Sequence, residues 1–206
     1  MTVEIEAKMR LVDRAAVERK LIELDATLEA EFLETNTYFD TSQHGLKSSD
    51  RGLRVRVEQT LDGEREVTIT HKGPRAHGRL KSRTETEVVV ADARRAANLL
   101  AALDYVPVLS FEKRRRRWRL DECHVELDTL PYLGQFIEIE GSSDEAVLAV
   151  REKLGLEDAP LIHASYIAML STYIRENHLR THTIRFNDPG ADGAGSNGTL
   201  LSATSS

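Results

Sequence analysis

The stretch TVEIEAKMRL, residues 2–11, alternates strictly between apolar side chains and charged or polar ones. Successive side chains of a β-strand point to opposite faces of a sheet, so this alternation predicts a strand with one apolar face and one charged face. The charged face carries both signs, because Glu4 and Glu6 are followed by Lys8 and Arg10. A chain that repeats this pattern builds a sheet with a charged side and an apolar side.

Seven further stretches have the composition of strands, and four have the periodicity of helices. The predicted strands cover residues 30–40, 52–60, 64–72, 81–91, 108–120, 122–129 and 134–140. The predicted helices cover residues 13–26, 92–103, 142–154 and 161–177. The first helix begins at Asp13, a residue type that caps helices. Short connections such as Leu61-Asp62-Gly63 favour antiparallel hairpins, so the pattern predicts a strand-rich α+β protein.

The composition fits one compact domain followed by a tail. The chain has 206 residues, of which 40% are hydrophobic and 30% are charged, so it holds enough apolar material for a core. After about residue 183 the sequence becomes rich in Gly, Ser, Asn and Asp and poor in residues that a core would bury. We therefore predict a folded domain over residues 1–183 and a disordered tail over residues 184–206.

Several protein classes are disfavoured by the sequence. No apolar run approaches the ~20 residues that cross a bilayer, and the first residues lack the apolar segment of a signal peptide. Cys123 is the only cysteine and the net charge is −6, which together indicate a cytoplasmic protein with no membrane partner. The basic run from Lys113 to Arg117 alternates between the two faces of a strand without an aromatic platform, so we expect no nucleic-acid partner.

Charged residues share one face of most predicted strands. These sets are Arg54, Arg56 and Glu58; Lys81, Arg83, Glu85 and Glu87; Lys113, Arg115 and Arg117; Glu126 and Asp128; and Glu138 and Glu140. The parity fits either the solvated face of an open antiparallel sheet or the interior of a barrel with helices outside. Charges in a closed interior must neutralise one another and be completed by a ligand. Such an interior would bind a polyanion through its cations and a divalent metal through its carboxylates, which suits phosphoryl chemistry.

The segment Glu4-Ile5-Glu6-Ala7-Lys8 resembles the ExExK signature of the CYTH, or triphosphate tunnel metalloenzyme, superfamily. Companion motifs follow in the order of that superfamily, and the resemblance covers roughly residues 2–175. They are Leu53-Arg54-Val55-Arg56, Thr70-His71-Lys72-Gly73-Pro74, Arg83-Thr84-Glu85-Thr86-Glu87, Lys113-Arg114-Arg115, Leu127-Asp128, Leu133-Gly134 and Phe136-Ile137-Glu138-Ile139-Glu140. Within the superfamily, residues 37–41, 71–74 and 165–170 resemble the class IV adenylyl cyclase branch.

The resemblance implies a closed eight-stranded antiparallel β-barrel, a triphosphate tunnel, with helices packed on the outside. It implies Mg²⁺ or Mn²⁺ as the cofactor, held by the metal-ligand candidates Glu4, Glu6, Glu87, Asp128, Glu138 and Glu140. The candidates for binding the triphosphate are Lys8, Arg54, Arg56, Lys72, Arg83, Lys113 and Arg115. The candidates for catalytic residues are Lys8, Arg56, Lys72 and Asp128.

The implied function is that of a metal-dependent enzyme acting on a triphosphate small molecule. The resemblance to the class IV branch ranks a cyclase first, which converts ATP to cyclic AMP and pyrophosphate. The alternatives are an inorganic triphosphatase or thiamine triphosphatase, which hydrolyses the terminal phosphate of tripolyphosphate or thiamine triphosphate, and a non-catalytic polyphosphate- or nucleotide-binding module. The resemblance also suggests a homodimer. No dedicated set of adenine-reading residues is recognisable in the sequence, so hydrolysis is the less demanding reaction.

Overall fold

A computed structural model of the protein describes residues 2–76 and 78–191. Within these residues there are nine strands: β1 (Thr2–Arg10), β2 (Thr27–Thr41), β3 (Gly52–Thr60), β4 (Arg65–Ala76), β5 (Lys81–Val89), β6 (Tyr105–Leu120), β7 (Cys123–Leu130), β8 (Gly134–Gly141) and β9 (Thr183–Ile184). The same part of the chain contains five helices: α1 (Arg14–Glu23), α2 (Gly45–Ser48), α3 (Ala93–Ala102), α4 (Asp144–Lys153) and α5 (Tyr166–Glu176).

Eight of the strands form a closed antiparallel barrel. Their order is β2-β3-β4-β5-β1-β8-β7-β6, and a long antiparallel pairing of β2 with β6 closes the ring. The two-residue strand β9 pairs in parallel with β6. The barrel with helices packed outside confirms the fold class predicted from the sequence, and it selects the barrel interior over the solvated sheet face.

Helices α1 and α4 cover one side of the barrel because the apolar faces of β1, β7 and β8 point outward to them. The buried cluster includes Met9, Leu21, Val125, Ile139 and Val147. Both helices begin at a capping side chain: Asp13 accepts a hydrogen bond from the backbone N–H of Ala16, and Ser143 from that of Ala146. Burial of these aliphatic side chains contributes about 1.5–3 kcal/mol each to stability.

The end of β8 lies very close to α4. A Cβ atom at Gly141 would lie 2.9 Å from Sγ of Cys123 and 3.0 Å from a methyl group of Val147. A glycine is therefore needed where α4 docks, since any side chain would force the helix away from the barrel.

Helix α3 covers another side, where Ala96 and Leu100 pack against Leu53, Val55 and Val67 of β3 and β4. Its first turn is capped by Asp92, which accepts a hydrogen bond from the N–H of Arg95.

Helix α5 covers one end of the barrel. Its buried residues Tyr166 and Leu170 pack against Phe111, Leu130 and Phe136. These three residues share the parity of the charged interior residues on their strands, so they form an apolar ring inside that end of the barrel. The charged part of the interior therefore lies beneath α5.

Packed residues continue past the predicted boundary at residue 183. Ile184 is fully buried, Phe186 and Ala191 are also buried, and the N–H of Phe186 donates to Glu112 at 3.0 Å. Residues 184–191 therefore pack on the barrel, because β9 pairs Ile184 with β6 and the second bulky apolar residue, Phe186, follows shortly after it. The rest of the predicted tail, residues 192–206, lies outside the described residues.

One smaller difference from the predicted elements concerns a loop. The predicted loop after β2 contains the one-turn helix α2, which is held by Asp40: its carboxylate accepts hydrogen bonds from the N–H groups of Leu46 and Lys47. Within residues 2–76 and 78–191, none of the helices has the length and apolarity that spanning a bilayer requires.

Candidate active site

A cavity of about 1350 Å³ runs through the barrel. Its lining includes Glu4, Glu6, Lys8, Arg54, Arg56, Lys72, Lys81, Arg83, Glu85, Glu87, Lys113, Arg115, Arg117, Glu138 and Glu140. These are the charged faces of the strands, so the parity visible in the sequence places each of them inside. The residues that alternate with Lys113, Arg115 and Arg117 on β6 point outward. Arg114 lies over the ring of Phe186, and Arg116 pairs with Glu18 of α1 at 2.8 Å.

Arg115 is the centre of the interior network. The side chain is 3% exposed and forms ion pairs with Glu34, Glu126, Asp128 and Glu138. Two of its nitrogens donate to the two oxygens of Asp128, both at 2.7 Å, which is the forked geometry that arginine favours with carboxylates. Other cations share these carboxylates, since Lys113 contacts Glu34 and Asp128, and Lys8 contacts Glu138.

Glu34 of β2 is a member of this network that the motifs in the sequence did not identify. It is fully buried and lies 3.1 Å from Nζ of Lys113 and 3.3 Å from Nε of Arg56. Burial favours the neutral acid, but Arg56, Lys113 and Arg115 hold the pKa of Glu34 well below its ordinary value. The sequence could have identified Glu34 by its position in the strand, because it lies on the same face of β2 as Asn36 and Tyr38.

Lys8 is buried against the first residues of α5. Its ammonium lies 2.9 Å from Glu138 and 3.4 Å from Glu6, and it is 4.2 Å from the ring centre of Tyr166. It also donates to the carbonyl of Ala164 at 3.3 Å. Two carboxylates, a carbonyl and an aromatic face therefore contact this ammonium, and Lys8 still lines the cavity.

Two further lysines project from β4 and β5. Lys72 contacts Glu4 at 3.4 Å and makes a shorter contact with Glu85, whereas Lys81 contacts Glu6 at 2.6 Å. Burial and a hydrogen bond to Glu4 raise the pKa of Glu85 to about 7.

Two arginines complete the predicted phosphate-binding set. Arg54 is buried and donates to the hydroxyl of Thr70 at 3.1 Å. Arg83 donates to Asp50 at 2.9 Å, while its buried Nε has no hydrogen-bond partner among the described residues. All seven predicted phosphate-binding cations therefore line the same cavity.

The carboxylates gather into two overlapping clusters that could hold a divalent cation. One consists of Glu4, Glu6 and Glu140 and the other of Glu126, Glu138 and Glu140, with ligand atoms within 4.8 Å of one another in each. Burial and the neighbouring Glu126 and Glu4 raise the pKa of Glu140 well above its ordinary value. Among the described side chains, Glu140 has no ion pair, so a cation bound at the clusters would favour the charged form of this carboxylate. The oxygen-rich donor set fits Mg²⁺ or Mn²⁺.

Two of the six predicted metal ligands lie outside these clusters. The carboxylate of Asp128 accepts hydrogen bonds from Arg115, Lys113 and the hydroxyl of Tyr166. Glu87 accepts a hydrogen bond from Thr70 at 2.7 Å, and its side chain is half exposed. Glu126 is a member of one cluster instead. Its position in the sequence put it on the same strand face as Asp128, but it was not predicted to be a metal ligand.

Comparison with known proteins agrees with this architecture. Residues 2–166 match the sequence profile of the CYTH domain family. The chain belongs to the CYTH family. The adenylate cyclase CyaB of Aeromonas hydrophila is 33% identical over 173 residues, which cover 79% of this chain and 86% of the relative. The resemblance inferred from the ExExK segment is thereby confirmed.

Solved structures share the fold. A Pyrococcus horikoshii protein superposes with a TM-score of 0.72 at 26% identity, covering 82% of this chain and 99% of that chain. HpAC1 from Hippeastrum, for which a dominant triphosphatase activity is described, has a TM-score of 0.64 at 21% identity, with 82% and 96% covered. CYTH proteins in general depend on a metal and act on triphosphates such as ATP, and the cations and carboxylates of this barrel suit both requirements.

Proposed function

We propose that this chain is a metal-dependent enzyme that converts ATP to cyclic AMP and pyrophosphate inside the barrel. The observation that carries the proposal is the combination, in one cavity, of a set of buried cations with two overlapping carboxylate clusters. A triphosphate bound to Mg²⁺ or Mn²⁺ presents both charges at once: phosphate oxygens for the cations, and a metal ion for the carboxylates.

The cations would bind the triphosphate. Arg54, Arg56 and Arg115 offer forked donors to pairs of phosphate oxygens, and Lys8 and Lys72 act as point charges. Each of these cations is paired with a glutamate or aspartate, so their positions are fixed before the substrate arrives. Fixed cations stabilise the charge that develops on the phosphate without reorganising during the reaction.

The metal would be held by Glu140 with Glu4 and Glu6 on one side and Glu126 and Glu138 on the other. When bound, it supplies a positive charge that neutralises phosphate oxygens and removes the repulsion among these carboxylates. In this proposal Asp128 and Glu34 keep the cations in place and do not bind the metal.

Cyclisation is ranked first because of the relative named adenylate cyclase CyaB. In that reaction the ribose 3′-oxygen attacks the α-phosphorus, the bond to the β-phosphate oxygen breaks, and pyrophosphate leaves with the electron pair. The proton of the 3′-hydroxyl must pass to a base or to water. The cations on the phosphate chain favour departure of pyrophosphate, because they stabilise its negative charge.

Hydrolysis of the terminal phosphate is the second candidate. It is favoured by the interior itself, which is lined mainly by charged residues and therefore offers more contacts to a triphosphate than to a nucleobase. The activity described for the Hippeastrum protein of the same fold is in line with this reaction. A non-catalytic binding module is disfavoured, because binding a polyphosphate needs the cations but not the two carboxylate clusters.

One incubation series separates these functions. The protein is incubated with Mg²⁺ or Mn²⁺ and, separately, with ATP, tripolyphosphate and thiamine triphosphate, and the products are separated. Cyclic AMP with pyrophosphate supports the cyclase, whereas orthophosphate without a cyclic nucleotide overturns it in favour of the hydrolase. Tight binding without turnover indicates the silent module. Glu140→Gln serves as the inactive control, and Arg114→Ala, which changes an outward-facing residue, as the active one.

A further inference from the structure

The segment that leads into α5 is fastened to Lys8 at several points. The N–H of Ile162 donates to the carbonyl of Lys8 at 2.8 Å, and the carbonyl of Ala164 accepts from its ammonium. The ring of Tyr166 then lies 4.2 Å from the same ammonium and 5.5 Å from that of Lys113. An aromatic face within about 6 Å of a cation attracts it, so Tyr166 draws both lysines to one side of the cavity.

The hydroxyl of Tyr166 reaches a third group. It donates to Oδ2 of Asp128 at 2.9 Å, and that carboxylate also accepts from Lys113 and, at two points, from Arg115. Asp128 is fully buried and thus receives four hydrogen bonds, about as many as a carboxylate can accept. A metal ion could reach its oxygens only by displacing one of these donors.

We propose that Tyr166 and Asp128 are a pair of positioning residues that hold Lys8, Lys113 and Arg115 in the geometry that binds the triphosphate. This inference rests on the proposed function for the identity of the ligand. Tyr166 touches all three of the groups involved: two lysines through its ring and, through its hydroxyl, the carboxylate that orients Arg115. Helix α5 is thereby part of the phosphate site although it lies outside the ring of strands.

The proposal separates two kinds of acidic residue in the cavity. Glu140 has no cation partner among the described side chains and belongs to both carboxylate clusters, so its loss should affect metal binding first. Asp128 has three cationic or hydroxyl partners and belongs to neither cluster, so its loss should affect phosphate binding first. A residue that only packed α5 onto the barrel would affect neither binding equilibrium at a temperature where the variant is folded.

The test uses the full chain and two titrations. Tripolyphosphate binding is measured by calorimetry in the presence of a chelator, and Mn²⁺ binding is measured without tripolyphosphate by the resonance signal of the unbound ion. The variants are Tyr166→Phe, which keeps the ring and removes the hydroxyl, and Asp128→Asn. Tyr173→Phe is the matched control on α5, because the ring of Tyr173 stacks on Tyr132 at 5.0 Å and does not line the cavity.

Tyr166→Phe should weaken tripolyphosphate binding about tenfold, the equivalent of one charge-assisted hydrogen bond, and leave Mn²⁺ binding unchanged. Asp128→Asn should weaken it further, again without a change in Mn²⁺ binding, whereas Glu140→Gln should lose Mn²⁺. Equal tripolyphosphate binding by the wild type and Tyr166→Phe overturns the inference, and so does a loss of Mn²⁺ in Asp128→Asn as large as in Glu140→Gln. If Asp128→Asn does not fold, Tyr166→Phe decides alone. A wild type that binds no tripolyphosphate overturns the proposed function and this inference together.

Discussion

Two glutamates on the same face of β8 should respond oppositely to the same substitution. Glu138 forms ion pairs with Lys8 at 2.9 Å and Arg115 at 2.6 Å, and these cations hold its pKa well below the ordinary value against the effect of burial. Glu140 is surrounded by carboxylates, and burial with Glu126 and Glu4 raises its pKa well above that value. Replacing each by glutamine removes the charge and keeps the shape.

Glu138→Gln should lower the free energy of unfolding by about 3–5 kcal/mol at pH 7, since it leaves two buried cations short of a partner. This loss of stability should become smaller as the pH falls through the depressed pKa of Glu138, because the wild type then loses the charge of Glu138 as well. Glu140→Gln should raise the free energy of unfolding. Between pH ~4.3 and the raised pKa of Glu140, the folded wild type binds one more proton at this residue than the unfolded chain does. The free energy of unfolding of the wild type therefore falls by up to about 1.4 kcal/mol for each unit by which the pH rises in this range, and Glu140→Gln should abolish this pH dependence.

The assay is urea unfolding between pH 5 and pH 9 in the presence of a chelator, repeated with excess Mn²⁺. The metal should stabilise the wild type, because it binds the folded state, and should stabilise Glu140→Gln less. Similar destabilisation by both substitutions at pH 8 without metal would refute the reasoning, because it would mean that Glu140 is stabilised by a cation.

Arg115→Ala should weaken tripolyphosphate binding by about 1.5–3 kcal/mol in a titration, whereas Arg114→Ala, one residue away and outward-facing, should change it by a few tenths at most; equal losses would mean that the assigned strand faces are wrong. Ile184→Ala should lower the free energy of unfolding by about 2–5 kcal/mol, because the side chain of this β9 residue is fully buried, and Leu179→Ala, which is partly exposed, should cost less in the same urea experiment. Asp40→Ala should destabilise the protein by about 1–3 kcal/mol at pH 7, since it leaves N–H groups of α2 without an acceptor, and unchanged unfolding would contradict that role.

Most of the fold could be predicted from alternation. The stretch from residue 2 to 11 and the predicted strand 52–60 correspond closely to β1 and β3, because a strand with a charged interior and an apolar exterior has a strict period of two. The ends of the chain's elements were less predictable. Ile184 and Phe186 lie in a polar, glycine-containing stretch, and their burial depends on β6, which is distant in the sequence.

The candidate site was predicted in its residue types more than in its contacts. Parity placed Glu138, Glu140 and Arg115 on interior faces, but it could not tell which carboxylate meets a cation and which meets another carboxylate. Glu34 and Tyr166 illustrate the limit, because their partners come from strands and a helix far away in the sequence.

The sequence by itself therefore determined which residues face the interior and which family the chain resembles, because strand parity and short motifs are local properties. Only the tertiary structure decided how those charges are paired. The closed barrel places Glu138 between Lys8 and Arg115 and Glu140 among carboxylates, although both are glutamates on the same face of β8. The physical reason is that the pKa and the role of a buried carboxylate depend on the charges around it, and these come from strands brought together only when the barrel closes.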